Sequence, residues 1–153
     1  MLRLLLFCLL LALAAACTST HLTTGRTDHQ GDRQGRYRTY YDDAHTQLFM
    51  RGRYRHGQPV GRWRYYAQAG ELQHKERYRR HGLSDITYYY PSGRVAKQGH
   101  ARLADEPDGL HFYWFGDWNY YSPAGALDSV QVYTLGKRTN TRHLAARQMP
   151  LAK

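Results

Sequence analysis

Between residues 61 and 66 the aromatic residues Trp63 and Tyr65 alternate with Arg62 and Arg64. An alternation of period two gives each face of a strand its own residue type. The same alternation appears as "RYR" at 36–38 and 53–55 and as "RYRR" at 77–80. Segments rich in Tyr and Trp favour strands. Turn chemistry follows, as "AQAG" at 67–70, "PSG" at 91–93 and "SPAG" at 122–125, where Gly takes positive φ without cost and Pro fixes its own φ. A returning strand fits after each turn, at 71–78, 94–103 and 126–135. Gly-containing links, "RHGQPVG" and "RRHGLSD", then lead into the next hairpin. No helical period of comparable length precedes residue 137. The pattern predicts an all-β chain: an elongated antiparallel sheet of successive β-hairpins.

The hairpins are written as a repeat. "GRWRYYAQAG" at 61–70 and "GDWNYYSPAG" at 116–125 agree at six of ten positions. The shared template is Gly, any residue, aromatic, two residues, Tyr, three residues, Gly. It is met by Gly61, Trp63, Tyr66 and Gly70, and again by Gly116, Trp118, Tyr121 and Gly125. Gly35, Tyr37 and Tyr40 match it with Ala44 in the last place; Tyr89 and Gly93 match it with Ser84 and Ile86 as substitutes. The units thus begin near 35, 61, 84 and 116, at spacings of 26, 23 and 32 residues. A unit that returns every two dozen residues is architecture, since a catalytic site is normally built once. Trp63 and Trp118 are expected at equivalent buried positions, and Gly70 and Gly125 at turns needing positive φ. One feature resists a regular strand. The last Tyr of each unit lies three residues past the first aromatic, on the opposite face. Either both faces of the sheet are partly covered, or a bulge reorients the chain before the turn.

"GRWRYYAQAGEL" and "GDWNYYSPAGAL", with "YRHGQPVG" between units, resemble the bacterial variant of the MORN repeat. The resemblance covers about residues 35–136 and departs from the pattern at the insert "LADEPDGLHFYWF". It implies an elongated sheet of hairpins. Some bacterial relatives carry an antitoxin label and others are exported proteins of unknown role, so the resemblance speaks to fold more than to function.

The ends of the chain have a different composition. Residues 1–16 carry Arg3 and an apolar run from Leu4 to Ala14, the anatomy of an export signal. Ala14-Ala15-Ala16 fits ordinary cleavage, and the stretch ending in Cys17 also resembles the bacterial lipobox, with Ala14 where that motif prefers Leu. Loss of Cys8 with the signal leaves Cys17 without a disulfide partner. Lipidation at Cys17 is the expected explanation; a free or intermolecular thiol and a retained anchor are the alternatives. Thr18, which is not Asp, implies sorting to the outer membrane through the same resemblance. Residues 17–34 hold one large aliphatic side chain, Leu22, and read as a flexible tether. Residues 137–153 read as a basic tail.

Charge is segregated along the chain. Residues 33–80 carry a net of +8, residues 81–128 a net of −3, and residues 129–153 five cations and no acid. Arginine outnumbers lysine eighteen to four, which suits bidentate phosphate or carboxylate contacts. Arg36, Arg38, Arg53, Arg55, Arg62, Arg64, Arg77 and Arg79 flank aromatics and should project mostly to one side of the first two hairpins. They are the candidate anion-binding residues; a solvated face that discourages edge pairing is the bland alternative. Most of the 21 aromatic residues are expected to be packing.

The nine histidines show no metal-ligand spacing, and Glu71 with His74 is an isolated pair. "DEPDG" at 105–109 gathers three carboxylates without the spacing of a calcium loop and reads as a turn. No G-x-S-x-G elbow, P-loop or dinucleotide fingerprint is present. The expectation is a non-enzymatic envelope lipoprotein, without metal or cofactor, acting as a binding or structural module. Its membrane contact would be a lipid anchor, and its candidate partners are an anionic lipid, a glycolipid or a protein; nucleic acid is not the expected partner. The alternatives are an immunity or antitoxin-like protein binding a toxin, and an enzyme acting on envelope polymers.

Overall fold

The computed structural model describes residues 25–144; the signal, Cys17, the first part of the tether and the last residues of the basic tail lie outside them. Among the described residues ten strands form one antiparallel sheet in sequence order. They are β1 (Arg26–Thr27), β2 (Arg33–Tyr40), β3 (Leu48–Arg55), β4 (Gln58–Tyr66), β5 (Leu72–Tyr78), β6 (Leu83–Tyr89), β7 (Val95–Glu106), β8 (Gly109–Tyr121), β9 (Leu127–Thr134) and β10 (Lys137–His143). A 3-10 turn at Arg80–Gly82 leads into β6, and there is no α-helix among the described residues. The alternation in the sequence gives the sheet two unlike faces.

One face is aromatic. Tyr65, His74, Tyr88, Lys97 and Tyr120 stand directly opposite one another on β4 to β8. Tyr65 and His74 stack with ring centroids 4.1 Å apart, and His74 and Tyr88 follow at 4.8 Å. Trp63 and Trp118 are 1% and 0% exposed. Each lies across a glycine of the preceding strand: a Cβ on Gly52 would fall 2.0 Å from the Trp63 ring, and one on Gly99 2.3 Å from the Trp118 ring. A single-layer sheet has no second layer to bury an indole, so the neighbouring backbone must admit it, and only Gly leaves the room. The third unit solves the problem differently. There the smaller Ile86 is buried opposite Glu76.

A bulge resolves the misplaced tyrosine, and it sits on the returning strand. Thr39 faces Met50 while Tyr40 faces Leu48; Tyr65 and Tyr66 face His74 and Leu72; Tyr88 and Tyr89 face Lys97 and Val95; Tyr120 and Tyr121 face Ser129 and Leu127. Each return strand therefore carries one extra residue at the same place. The outgoing strand keeps its alternation, so Tyr40, Tyr66, Tyr89 and Tyr121 fall on the charged face. Both faces are thus partly covered. The Arg51 guanidinium lies 5.6 Å from the Tyr66 ring centroid, Lys75 Nζ lies 4.9 Å from that of Tyr89, and Gln98 Nε2 donates to Tyr121 Oη at 2.9 Å.

The turns of units two to four close identically. Ala67, Tyr90 and Ser122 donate backbone N–H to Glu71, Arg94 and Ala126, and Gly70, Gly93 and Gly125 take positive φ. The first unit differs from expectation. His45, next to Ala44, takes the positive φ, and the Asp42 carboxylate closes a longer loop by accepting the Thr46 and Gln47 backbone N–H. Gly35, Gly61 and Gly116 also have positive φ. At Gly61 and Gly116 the register toward the preceding strand slips, whereas Ser84 starts a unit whose pairing with β5 is regular.

The sheet is longer than the repeat. Arg26 and Thr27, assigned to the tether, pair with Gln34 and Arg33. The Asp28 carboxylate orders the intervening turn by accepting the Gln30 and Asp32 N–H. Lys137–His143, assigned to the tail, form the tenth strand against β9. Neither segment has the apolar residues to fold alone; each is ordered by pairing its backbone with an existing edge. The insert before the fourth unit lengthens β7 and β8 into a hairpin arm that ends in the turn Glu106–Gly109.

Candidate anion-binding face

Strand register brings the arginines together. Arg36 stands opposite Arg53, Arg38 opposite Arg51, Arg51 opposite Arg64, Arg64 opposite Lys75, and Arg62 opposite Arg77. The result is a basic row, Arg38–Arg51–Arg64–Lys75, that crosses β2 to β5, with Arg36, Arg53, Arg62 and Arg77 beside it. Arg55 ends β3 opposite Gln58. A concavity of about 510 Å³ opens among Arg36, Arg38, Arg51, Arg53, Arg55, Arg62 and Arg64. A second, of about 430 Å³, shares Arg62 and Arg64 and continues to Lys75, Arg77 and Thr87, with the acids Glu76 and Asp85 also lining it and Asp85 directly opposite Arg77.

Arg79, the eighth candidate, stands apart. It lies past the end of β5 and donates through Nε to Asp85 Oδ2 at 2.8 Å. Asp85 also meets His100 Nδ1 at 3.1 Å. Arg51 and Lys75 were not among the sequence candidates. Both were legible by extending the alternation, since Arg51 precedes Arg53 by two residues and Lys75 precedes Arg77 by two.

The rest of the charged face carries fewer cations in register. Past Lys75 the row continues through Thr87, Gln98 and Asn119. Arg142 donates to Asp117 Oδ2 at 2.6 Å. By contrast, Arg36, Arg38, Arg51, Arg53, Arg62, Arg64, Lys75 and Arg77 have no carboxylate within 4.0 Å among the described residues. Like charges directly opposite on a sheet are destabilising. At the β6–β10 end, by comparison, Asp85 and Asp117 stand beside cations.

Other polar clusters stand elsewhere among the described residues. On the aromatic face Glu76 is 8% exposed and accepts hydrogen bonds from Tyr78 Oη at 2.6 Å and Tyr65 Oη at 3.1 Å, with His74 Nε2 3.6 Å away. Burial pushes its pKa up, but these partners outweigh burial and hold it below the ordinary carboxyl value. Burial and the nearby Glu76 charge push the Tyr65 and Tyr78 phenols up. The Glu76 carboxylate is thus satisfied by its two tyrosines, while His74 Nδ1 is buried without a hydrogen-bond partner. Lys97 Nζ sits 4.6 Å from the ring centroids of both Tyr88 and Trp114, and burial lowers its pKa. At the arm's tip Glu106, Asp108 and His111 place ligand atoms within 4.8 Å of one another, with Asp108 exposed and His111 half-buried. His111 Nε2 is 2.8 Å from Asp108 Oδ1, a contact that a solvated turn makes without an ion.

No family model, curated protein or solved structure matches the chain.

Proposed function

We propose that this protein is a non-enzymatic envelope lipoprotein of the MORN-variant type, anchored through Cys17, whose basic sheet face binds an anionic envelope component. The observation that carries the reading is the set of arginines in register on neighbouring strands without carboxylate partners. The sheet carries this repulsion at one end, whereas at the other the same row is Thr87, Gln98 and Asn119. An anion that accepts charge-assisted hydrogen bonds from several guanidinium groups would remove the repulsion. The signal anatomy and the lone Cys17 support export and anchoring, which would hold the face beside phosphate-bearing headgroups. Each cation near such a surface contributes about 1 kcal/mol.

The test mixes the protein with neutral and anionic vesicles at two ionic strengths. Binding should be confined to anionic vesicles and fall steeply with salt, since the Debye length shrinks from about 10 Å at 0.1 M to about 3 Å at 1 M. The double variant Arg62→Glu/Arg64→Glu should lose it. Equal binding to both vesicle types would leave a solvated face and nothing more. Cell fractionation of Cys17→Ser checks the anchor: the variant should move from the membrane to the soluble fraction.

A further inference from the structure

We propose that the ligand of the basic face is one extended chain of an acidic polysaccharide, lying across β2 to β5 at right angles to the strands, with one anionic group at each of Arg38, Arg51, Arg64 and Lys75. The inference rests on the anion-binding reading above and narrows it from a charged surface to a linear site of defined length.

Register is the first ground. These four cations come from four adjacent strands in one continuous set of cross-strand partners. Their backbone positions therefore recur at the strand spacing of about 4.7–4.9 Å, a one-dimensional row of regular attachment points. The shape is the second. The two concavities share Arg62 and Arg64 and together make a trough running across the strands. A trough accepts a chain, whereas a bilayer offers its headgroups as a plane. The ends are the third. On the β6 side the row stops at Thr87, and beside it Asp85, already holding Arg79 and His100, would repel a further anion.

The tyrosines separate a polysaccharide from single-stranded nucleic acid. Nucleic acid strands are held by stacking bases on free aromatic faces as well as by charge. Here Arg51 lies over Tyr66 and Lys75 over Tyr89. Each cation covers part of a half-buried ring, so a base gains less there than on a free aromatic face. A ligand recognised by the spacing of its carboxylates or phosphates loses nothing.

The experiment titrates the full chain, in neutral detergent, with uronic acid oligomers of one to eight residues. Affinity should tighten about twofold to fivefold with each residue added up to four, the size of an exposed ion pair, and then level off. Arg64→Gln should weaken the tetramer, with its unfolding midpoint unchanged or raised. Thr87→Lys adds a fifth cation to the row and should move the plateau to longer oligomers. Competition with anionic vesicles completes the set. Affinity that ignores oligomer length, a plateau that Thr87→Lys does not move, vesicle binding that the oligomers do not displace, or tighter binding of oligothymidylate of equal charge would each overturn the linear polysaccharide site. Failure to bind vesicles and oligomers alike would overturn the anion-binding reading itself.

Discussion

Strands β2–β5 and strands β6–β9 are built to one plan and differ in what they show to solvent. Each half buries a tryptophan across a glycine, Trp63 on Gly52 and Trp118 on Gly99. Each places the same bulge on its return strands. Each ties its two hairpins together through the second tyrosine of the pair, Tyr41 Oη donating to the Tyr66 carbonyl and Tyr90 Oη to the Tyr121 carbonyl. The opposite face then diverges, Arg38–Arg51–Arg64–Lys75 in one half and Thr87–Gln98–Asn119 in the other. The aromatic face repeats because packing demands it. The charged face is free of that demand, so the difference between the halves is where a specific role can be written.

The largest test of the shared plan is the tryptophan pair. Trp63→Ala and Trp118→Ala should each cost about 3–5 kcal/mol in urea unfolding. Approaching the same contact from the other side, Gly52→Ala and Gly99→Ala should each cost about 1–3 kcal/mol by overpacking. A loss in one half without a matching loss in the other would break the equivalence.

Glu76 marks the seam between the halves, where the glycine of the other units is replaced. Its folded pKa is lowered, so the unfolded chain binds the proton more tightly. Its contribution to stability is then complete above the ordinary Glu value of about 4.3 and is lost as pH falls through the lower folded value. Glu76→Gln should flatten that acid limb and cost about 1–3 kcal/mol at neutral pH. The raised pKa values of Tyr65 and Tyr78 act at the other extreme. Their contribution is complete below about 10 and is lost as pH rises through the higher folded values. Unfolding followed against pH in both proteins checks the two limbs.

The smallest effect sharpens the contrast on the charged face. Replacing Arg51 and Arg64 by the polar residues of the other half, Arg51→Gln and Arg64→Gln, should leave stability unchanged or raise it by about 0.2–1 kcal/mol per relieved pair. The gain should fade with added salt. A substantial loss of stability would mean that the arginines are structural, and the functional contrast between the halves would disappear.

Much of the fold was legible because its signals are local. Alternation around Trp63 gave strands, Gly70 and Gly125 gave turns, and the recurrence gave the hairpin order. The ordered segments Arg26–Gln34 and Lys137–His143 were not legible, since nothing in their own composition favours structure and only a neighbouring edge supplies it. The ion pair of Arg79 was not legible for a similar reason: its partner Asp85 is close in space only because a turn reverses the chain between them.

By itself the sequence determined the repeating hairpin, the two unlike faces and the inventory of charge, because side-chain alternation and turn preference act over a few residues. Tertiary structure decided the register between strands. That register seats each tryptophan on a glycine from the preceding strand. It also lines Arg38, Arg51, Arg64 and Lys75 into one row and places an acid beside some cations and none beside others. Registers depend on bulges and on contacts between strands far apart in the chain, and a one-residue slip would send every side chain to the other face.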